Sequence, residues 1–96
     1  RDAMEFLTDF YEKAGLWQKL YEVLVRGAET TWDPAERMDR TRRAAQIAMK
    51  RLDSADMAMA AWEKLWKLGA REYEVRSELM KLYRDTERWK ELAAFL

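Results

Sequence analysis

Ninety-six residues suffice for one small domain, and 18 basic against 18 acidic side chains leave no net charge to draw it toward nucleic acid or an anionic membrane. Cysteine and histidine are both absent, which excludes disulfides, thiolate chemistry, histidine bases and the commonest zinc ligands. No apolar run reaches the roughly 18 residues of a membrane span, so a soluble chain without a membrane partner is expected, its compartment left open.

What remains points to helices. The pairing of 49% hydrophobic with 38% charged residues, and only three Gly and one Pro, suits helices with one apolar and one charged face. Val23, Val25, Val75 and Ile47, with five Thr, are too few β-branched residues for a sheet.

Six helices are predicted in chain order. The first spans about Ala3 to Ala14, with Met4, Leu7, Phe10, Tyr11 and Ala14 on one stripe, and Gly15 ends it. The second runs from Trp17 to Glu29 with Leu20, Leu24 and Gly27 in line. After the connector Thr30-Thr31-Trp32, Asp33 caps the third helix, Pro34 enters its first turn, and Glu36 completes a capping-box-like pattern. Its inner face carries Met38, Thr41, Ala44, Ala45, Ala48 and Leu52. Ser54 caps the fourth helix, which runs to Leu68 and Gly69. Its apolar residues almost encircle it, so it belongs in the middle of the fold. The fifth spans Tyr73 to Arg84, with Val75, Leu79, Leu82 and Tyr83 inward, and the sixth starts near Trp89. Loops this short make successive helices antiparallel.

The chain also repeats itself. At an offset of 72, Leu7, Phe10, Tyr11, Trp17, Leu20 and Leu24 fall on Leu79, Leu82, Tyr83, Trp89, Leu92 and Leu96. Two helix pairs fit in that interval, giving a unit of about 36 residues, the period of stacked helical hairpins.

On these residues the chain resembles the tetratricopeptide repeat family over nearly its whole length. Leu7, Tyr11, Gly15, Trp17 and Gly27 stand at the family's marked positions in the first unit, Ala58 and Trp62 in the second, and Leu79, Tyr83 and Trp89 in the third. Departures are Thr8 and Met80 for Gly, Leu20 and Leu92 for Ala, Glu87 for the loop Gly, and about four extra residues before Asp33. The frequent Trp keeps a related half-tetratricopeptide repeat of RNA-processing scaffolds open as an alternative. The resemblance implies an all-α, right-handed superhelical stack of about three antiparallel hairpins, with units at about 1–33, 34–69 and 70–96. The start at Arg1 and the uncapped Ala94-Phe95-Leu96 read as a portion of a longer array, whose stripe Leu92, Phe95, Leu96 is expected to associate with itself or with a following repeat.

A non-enzymatic interaction scaffold is therefore expected, holding a protein or peptide on a concave face built from the first helix of each pair, without cofactor or metal. A structural spacer with no ligand of its own is the alternative. Net charge by segment is −3 over residues 1–33, +4 over 34–52 and −1 over 53–96. The candidate contacts are Arg42, Arg43, Gln46 and Lys50 on the third helix, Ser77, Lys81 and Arg84 on the fifth, and Trp32 in the connector. A basic middle fits an acidic or phosphorylated peptide. The plainer reading, which charged helix faces usually bear, is that the arginines pair with acidic neighbours on the first and fifth helices and serve only a solvated face. The resemblance also implies Lys and Asn in any clamp for a chaperone tail, but the matching helix offers Glu5 and Asp9 and the chain has no Asn. No nucleophile–base pair or phosphate-binding loop supports catalysis. Zero net charge disfavours nucleic acid as the ligand of Arg37, Arg40, Arg42 and Arg43. Trp17, Trp62 and Trp89 are read as packing residues. Trp66 has no structural role on this reading, and Trp32 is read either as a contact or as a hydrophobic staple against the third helix.

Overall fold

The computed structural model describes residues 3–69 and 73–94, with side chains from Phe6 onward. Among these residues there are six helices and no strand: α1 (Ala3–Ala14), α2 (Trp17–Thr30), α3 (Pro34–Lys50), α4 (Ala55–Lys67), α5 (Tyr73–Asp85) and α6 (Trp89–Ala93). Their order and starts follow the sequence reading to within a residue or two.

Local chemistry fixes the ends. The Asp33 carboxylate accepts from the Ala35 N–H at 3.0 Å, with Pro34 in the first turn of α3. Glu36 does not close the expected capping box. Its carboxylate accepts from the Thr31 hydroxyl at 2.9 Å, and that oxygen in turn accepts from the Asp33 N–H at 3.3 Å. Ser54 caps α4 by accepting from the Met57 N–H at 3.2 Å, and Gly69, at φ 104°, ends it.

The turn between α1 and α2 recurs between α5 and α6. Gly15 has φ 74°, its N–H donates to Glu12 O at 3.2 Å, and the Leu16 N–H reaches back to Tyr11 O at 2.9 Å. Seventy-two residues on (87 against 15), Glu87 has φ 59°, its N–H donates to Arg84 O at 3.1 Å, and the Arg88 N–H reaches Tyr83 O at 2.7 Å. Leu16 and Arg88 share one backbone conformation, φ −89°, ψ 72° and φ −91°, ψ 74°. Glu87 thus occupies a left-handed slot that suits glycine. The α3–α4 connection is longer, spanning residues 51–54. Leu52 N–H meets Ile47 O, and Ser54 N–H meets Ala48 O around Asp53 at φ 49°.

Each helix packs on its neighbours in sequence, most extensively α3 on α4 and α2 on α3. A set of polar links skips one helix at a time. Arg43 pairs with Glu12 at 3.7 Å and Arg42 with Glu74 at 3.6 Å, tying α3 to α1 and α5. The Tyr21 hydroxyl donates to Met57 O at 3.0 Å, Lys64 pairs with Glu29 at 2.7 Å, and Arg88 with Asp56 at 3.6 Å, tying α4 to α2 and to the start of α6. Odd-numbered helices therefore share one layer and even-numbered helices the other. The Cα extents are 42 × 27 × 17 Å, the shortest matching about two helix layers.

The core runs between the layers. It joins Leu20 and Leu24 of α2 to Ala44, Ala45 and Ala48 of α3, Ala58, Ala61, Trp62 and Leu65 of α4, and Val75, Leu79 and Tyr83 of α5. Trp62 is 1% exposed, and its indole N–H points at Met49 Sδ, 3.1 Å away. α4 supplies five buried residues and sits centrally, as its nearly encircling apolar surface requires.

Four further expectations are corrected. Phe10 was placed on the inner stripe of α1, but it is 51% exposed and stacks on Phe6 at 6.4 Å, while Thr8 is buried instead. α1 packs chiefly on α2, which covers only a narrow stripe. Trp89 was read as a packing wedge like Trp17, but it is exposed. Among the described residues α6 packs on α5, whereas α2 lies between α1 and α3. Trp66 does have a structural role, half-buried against the core beside Leu79 and Tyr83. Trp32 is 88% exposed, so it staples nothing. Phe95 and Leu96, on which the expected C-terminal association rests, lie outside the described residues.

Two stability outcomes follow from this packing. Trp62→Ala should cost about 3–5 kcal/mol as a large-to-small core change, and Trp32→Ala no more than about 0.5 kcal/mol. Urea midpoints in the opposite order would mean the core is misplaced. Glu87→Gly should raise stability by about 1 kcal/mol by relieving the left-handed backbone. Gly15→Ala should lower it by a similar amount, both measurable as shifts in melting temperature.

Candidate functional site

The odd-numbered layer presents a charged face. Along α3, positions 39, 42, 43, 46 and 50 recur at helical spacing, and Ser77, Lys81 and Arg84 do the same along α5. A depression of about 190 Å³ opens where α1, α2 and α3 meet, lined by Glu12, Trp17, Leu20, Arg43, Gln46, Ile47, Lys50 and Arg51. Three of the residues expected at a site therefore come together: Arg43, Gln46 and Lys50. Arg42 faces the other way along the layer, toward Glu74. On α5, Ser77 is half-buried while Lys81 and Arg84 are exposed, and none of them lines this depression. Trp32 stands apart in the α2–α3 connector.

Sequence reasoning missed two members. Arg51 lies over the Trp17 ring, its guanidinium carbon 4.6 Å from the ring centroid. The legible signal was that Arg51 extends the basic run from Lys50 at the end of α3. Trp17 had been read for packing alone, and it does pack on the core, but one ring face is left for the cation. Three cations, Arg43, Lys50 and Arg51, thus surround one carboxylate, Glu12. Lys50 and Arg51 carry no ion pair among the described residues, and Arg43 is held only at 3.7 Å in a solvent-screened pair. An anion can therefore be received here at little cost.

The strongest proton-affinity shift lies elsewhere. Burial, and then the Glu63 carboxylate to which it donates at 2.6 Å, push the Tyr83 hydroxyl well above the tyrosine range. Burial also raises Tyr21. The Lys64 ammonium holds the exposed Glu29 carboxyl below its usual range. All three groups join helices and border no shared cleft with the basic cluster. Among the described residues no group of three or more His, Cys, Asp or Glu could hold a metal ion, and no helix is long and apolar enough to cross a membrane.

No family model matches the chain, and neither a curated protein nor a solved structure does.

Tyr83 gives this geometry a pH signature. Its folded pKa lies above the unfolded value near 10, so the folded state holds the proton more tightly. That stabilisation is complete below about pH 10 and is lost as pH rises past it. Denaturation midpoints followed from about pH 7 to pH 11.5 should therefore fall at the alkaline end. Tyr83→Phe should be less stable at neutral pH by about 1 kcal/mol, with a shallower alkaline decline that leaves the smaller contribution of Tyr21. An unchanged slope would remove Tyr83 from this role.

Proposed function

We propose that the chain is a tetratricopeptide-like helical-repeat scaffold that binds an acidic polypeptide segment along the face of α1, α3 and α5. The two-layer arrangement supports the solenoid part of this reading. So does the turn that recurs 72 residues apart with matching dihedrals and hydrogen bonds. The observation that carries the binding part is the depression in which Lys50 and Arg51 lie without carboxylate partners beside Arg43, Gln46 and the Trp17 ring. A carboxylate entering there meets several donors, and the flanking apolar surface of Leu20 and Ile47 can take a side chain.

The competing reading is a spacer without a ligand. It draws on the Arg43–Glu12 and Arg42–Glu74 pairs, in which two cations of the face join helices. Binding of a short fluorescein-labelled Glu/Ala peptide, followed by anisotropy at low salt, separates the two. The scaffold should bind it, bind a Lys/Ala peptide far less, and lose affinity steeply with salt. Lys50→Glu with Arg51→Glu should weaken binding about tenfold or more, near 1.4 kcal/mol, whereas Lys90→Glu on α6 should do much less. Equal losses from the two faces, or no binding of the acidic peptide, would sink the proposal in favour of the spacer.

A further inference from the structure

Beside the basic depression lies a second one, of about 450 Å³, between the α1–α2 turn and the α3–α4 connection. Trp17 lines both, while Arg51 and Leu52, consecutive in the chain, line one each. The two openings are therefore neighbours across a single indole. Their chemistry differs. The first is cationic, whereas Leu16, Trp17 and Leu52 wall the second. Of the polar groups at its rim, Gln18 already donates to Glu22 at 3.2 Å, and Lys19 lies alongside them.

Leu16 is the informative member. It is 41% exposed, and the backbone makes no demand for an apolar residue there. The matching turn 72 residues on (88 against 16) holds Arg88 at φ −91°, ψ 74°, against φ −89°, ψ 72° at Leu16. That slot accepts a charged side chain, yet in the α1–α2 turn it holds a leucine partly open to water. Half-buried Trp17 and Leu52 carry the apolar surface on to the edge of the cationic depression. Contiguous apolar surface in water is unfavourable until an apolar group covers it.

Building on the scaffold reading above, we infer that the acidic segment bound at Lys50 and Arg51 also carries a large apolar side chain two residues from its carboxylate. The apolar group is of the size of leucine, methionine or phenylalanine. In an extended chain, residues two apart lie on one side, about 6–7 Å from each other, which suits two openings that share one ring. The carboxylate enters beside Lys50, the apolar side chain covers Leu16 and Leu52, and Trp17 is touched by both. An acidic run alone leaves the second opening to water, and an apolar segment alone leaves the cations without an anion.

The test compares three fluorescein-labelled peptides by anisotropy on the whole chain. One is the Glu/Ala peptide, and in the other two a single Ala, two residues before or after a central Glu, is replaced by Leu. One of the leucine peptides should bind about three- to tenfold more tightly than the parent, as partial burial of the larger side chain allows. That ratio should persist as salt rises, because the added contact is apolar, while the affinity of all three falls. Leu16→Gln should reduce the ratio to about twofold or less and leave the Glu/Ala affinity unchanged. Lys50→Gln should weaken all three peptides and preserve the ratio. Should Leu16→Gln fail to fold, the ¹⁵N spectrum of the unaltered chain decides, since the leucine peptide must shift Leu16 and Leu52 amides that the parent leaves unmoved. Equal affinity of the three peptides, or a leucine gain that survives Leu16→Gln, would overturn this inference and leave the acidic-segment reading standing. Absence of binding by all three would overturn both.

Discussion

The seam between α3 and α4 is built from alanines, and the rest of the fold depends on it. Ala44, Ala45 and Ala48 on one side and Ala58 and Ala61 on the other are all essentially without exposed surface. Side chains this small let two helix backbones approach closely, and the space they leave is filled by one large residue, Trp62. Because a close-packed interior cannot absorb a change of volume without cost, the position of this hairpin fixes where α2 and α5 must lie. Leu20 and Leu24 enter from one side of the seam, Val75, Leu79 and Tyr83 from the other, and every remaining helix is hung from those two.

With the hairpin fixed, the charge of α3 takes on a mechanical meaning. The segment holding α3 carries a net charge of +4, an expensive concentration on one helix unless its cations are distributed outward. They are distributed. Arg43 reaches α1, Arg42 reaches α5, Arg40 donates to Gly27 O at the end of α2 at 3.0 Å, and Arg51 covers Trp17 at the start of α2. Arginine suits this use, since its planar fork can stack, bond a carbonyl and meet a carboxylate without losing its charge. Each of these links is modest alone, because most are exposed and screened. Together they fix the orientation of α3 relative to three neighbours.

The order and starts of the helices were legible in the sequence because helical spacing and caps depend on backbone geometry that a single chain must satisfy locally. Gly15, Asp33, Ser54 and Gly69 mark their boundaries through capping chemistry that does not depend on the rest of the fold. Burial at the periphery was less legible, because it depends on what lies beyond a helix and not on its own pattern. The stripe of α1 was drawn through Phe10, yet with α2 as its main support only Leu7, Thr8 and Tyr11 are covered among its described side chains. Trp17 and Trp89 are equivalent in sequence and differ in exposure for the same reason: one begins a helix flanked on two sides, the other a helix resting on α5. Partner choice among charges was the hardest to read. Helical spacing puts Arg42 and Arg43 on one side of α3 and leaves open which acidic neighbour each meets; the packed structure gives Glu74 to Arg42 and Glu12 to Arg43. The basic run from Lys50 was the one sign of Arg51 in the sequence, because its partner, Trp17, lies 34 positions away, at the start of another helix (51 against 17).

What α3 does not use is then as informative as what it uses. A helix in the interior of two layers has neighbours enough to satisfy most of its cations, and Arg40, Arg42 and Arg43 all find partners. The groups left over lie near its two ends, Lys50 with Arg51 at the last turn and the Arg37 Nε near the first. Lys50 takes no part in the internal links, since Glu12, Glu29 and Glu74 are already engaged, and Arg51 enters them only through the Trp17 ring. Removing the Lys50 charge would lower the self-repulsion of α3 without loss of an ion pair. The balance of a zero net charge over the whole chain is thus not reproduced locally. The acidic residues that complete it lie mostly on other helices, and Lys50 and Arg51 at the last turn of α3 form no ion pair among the described residues.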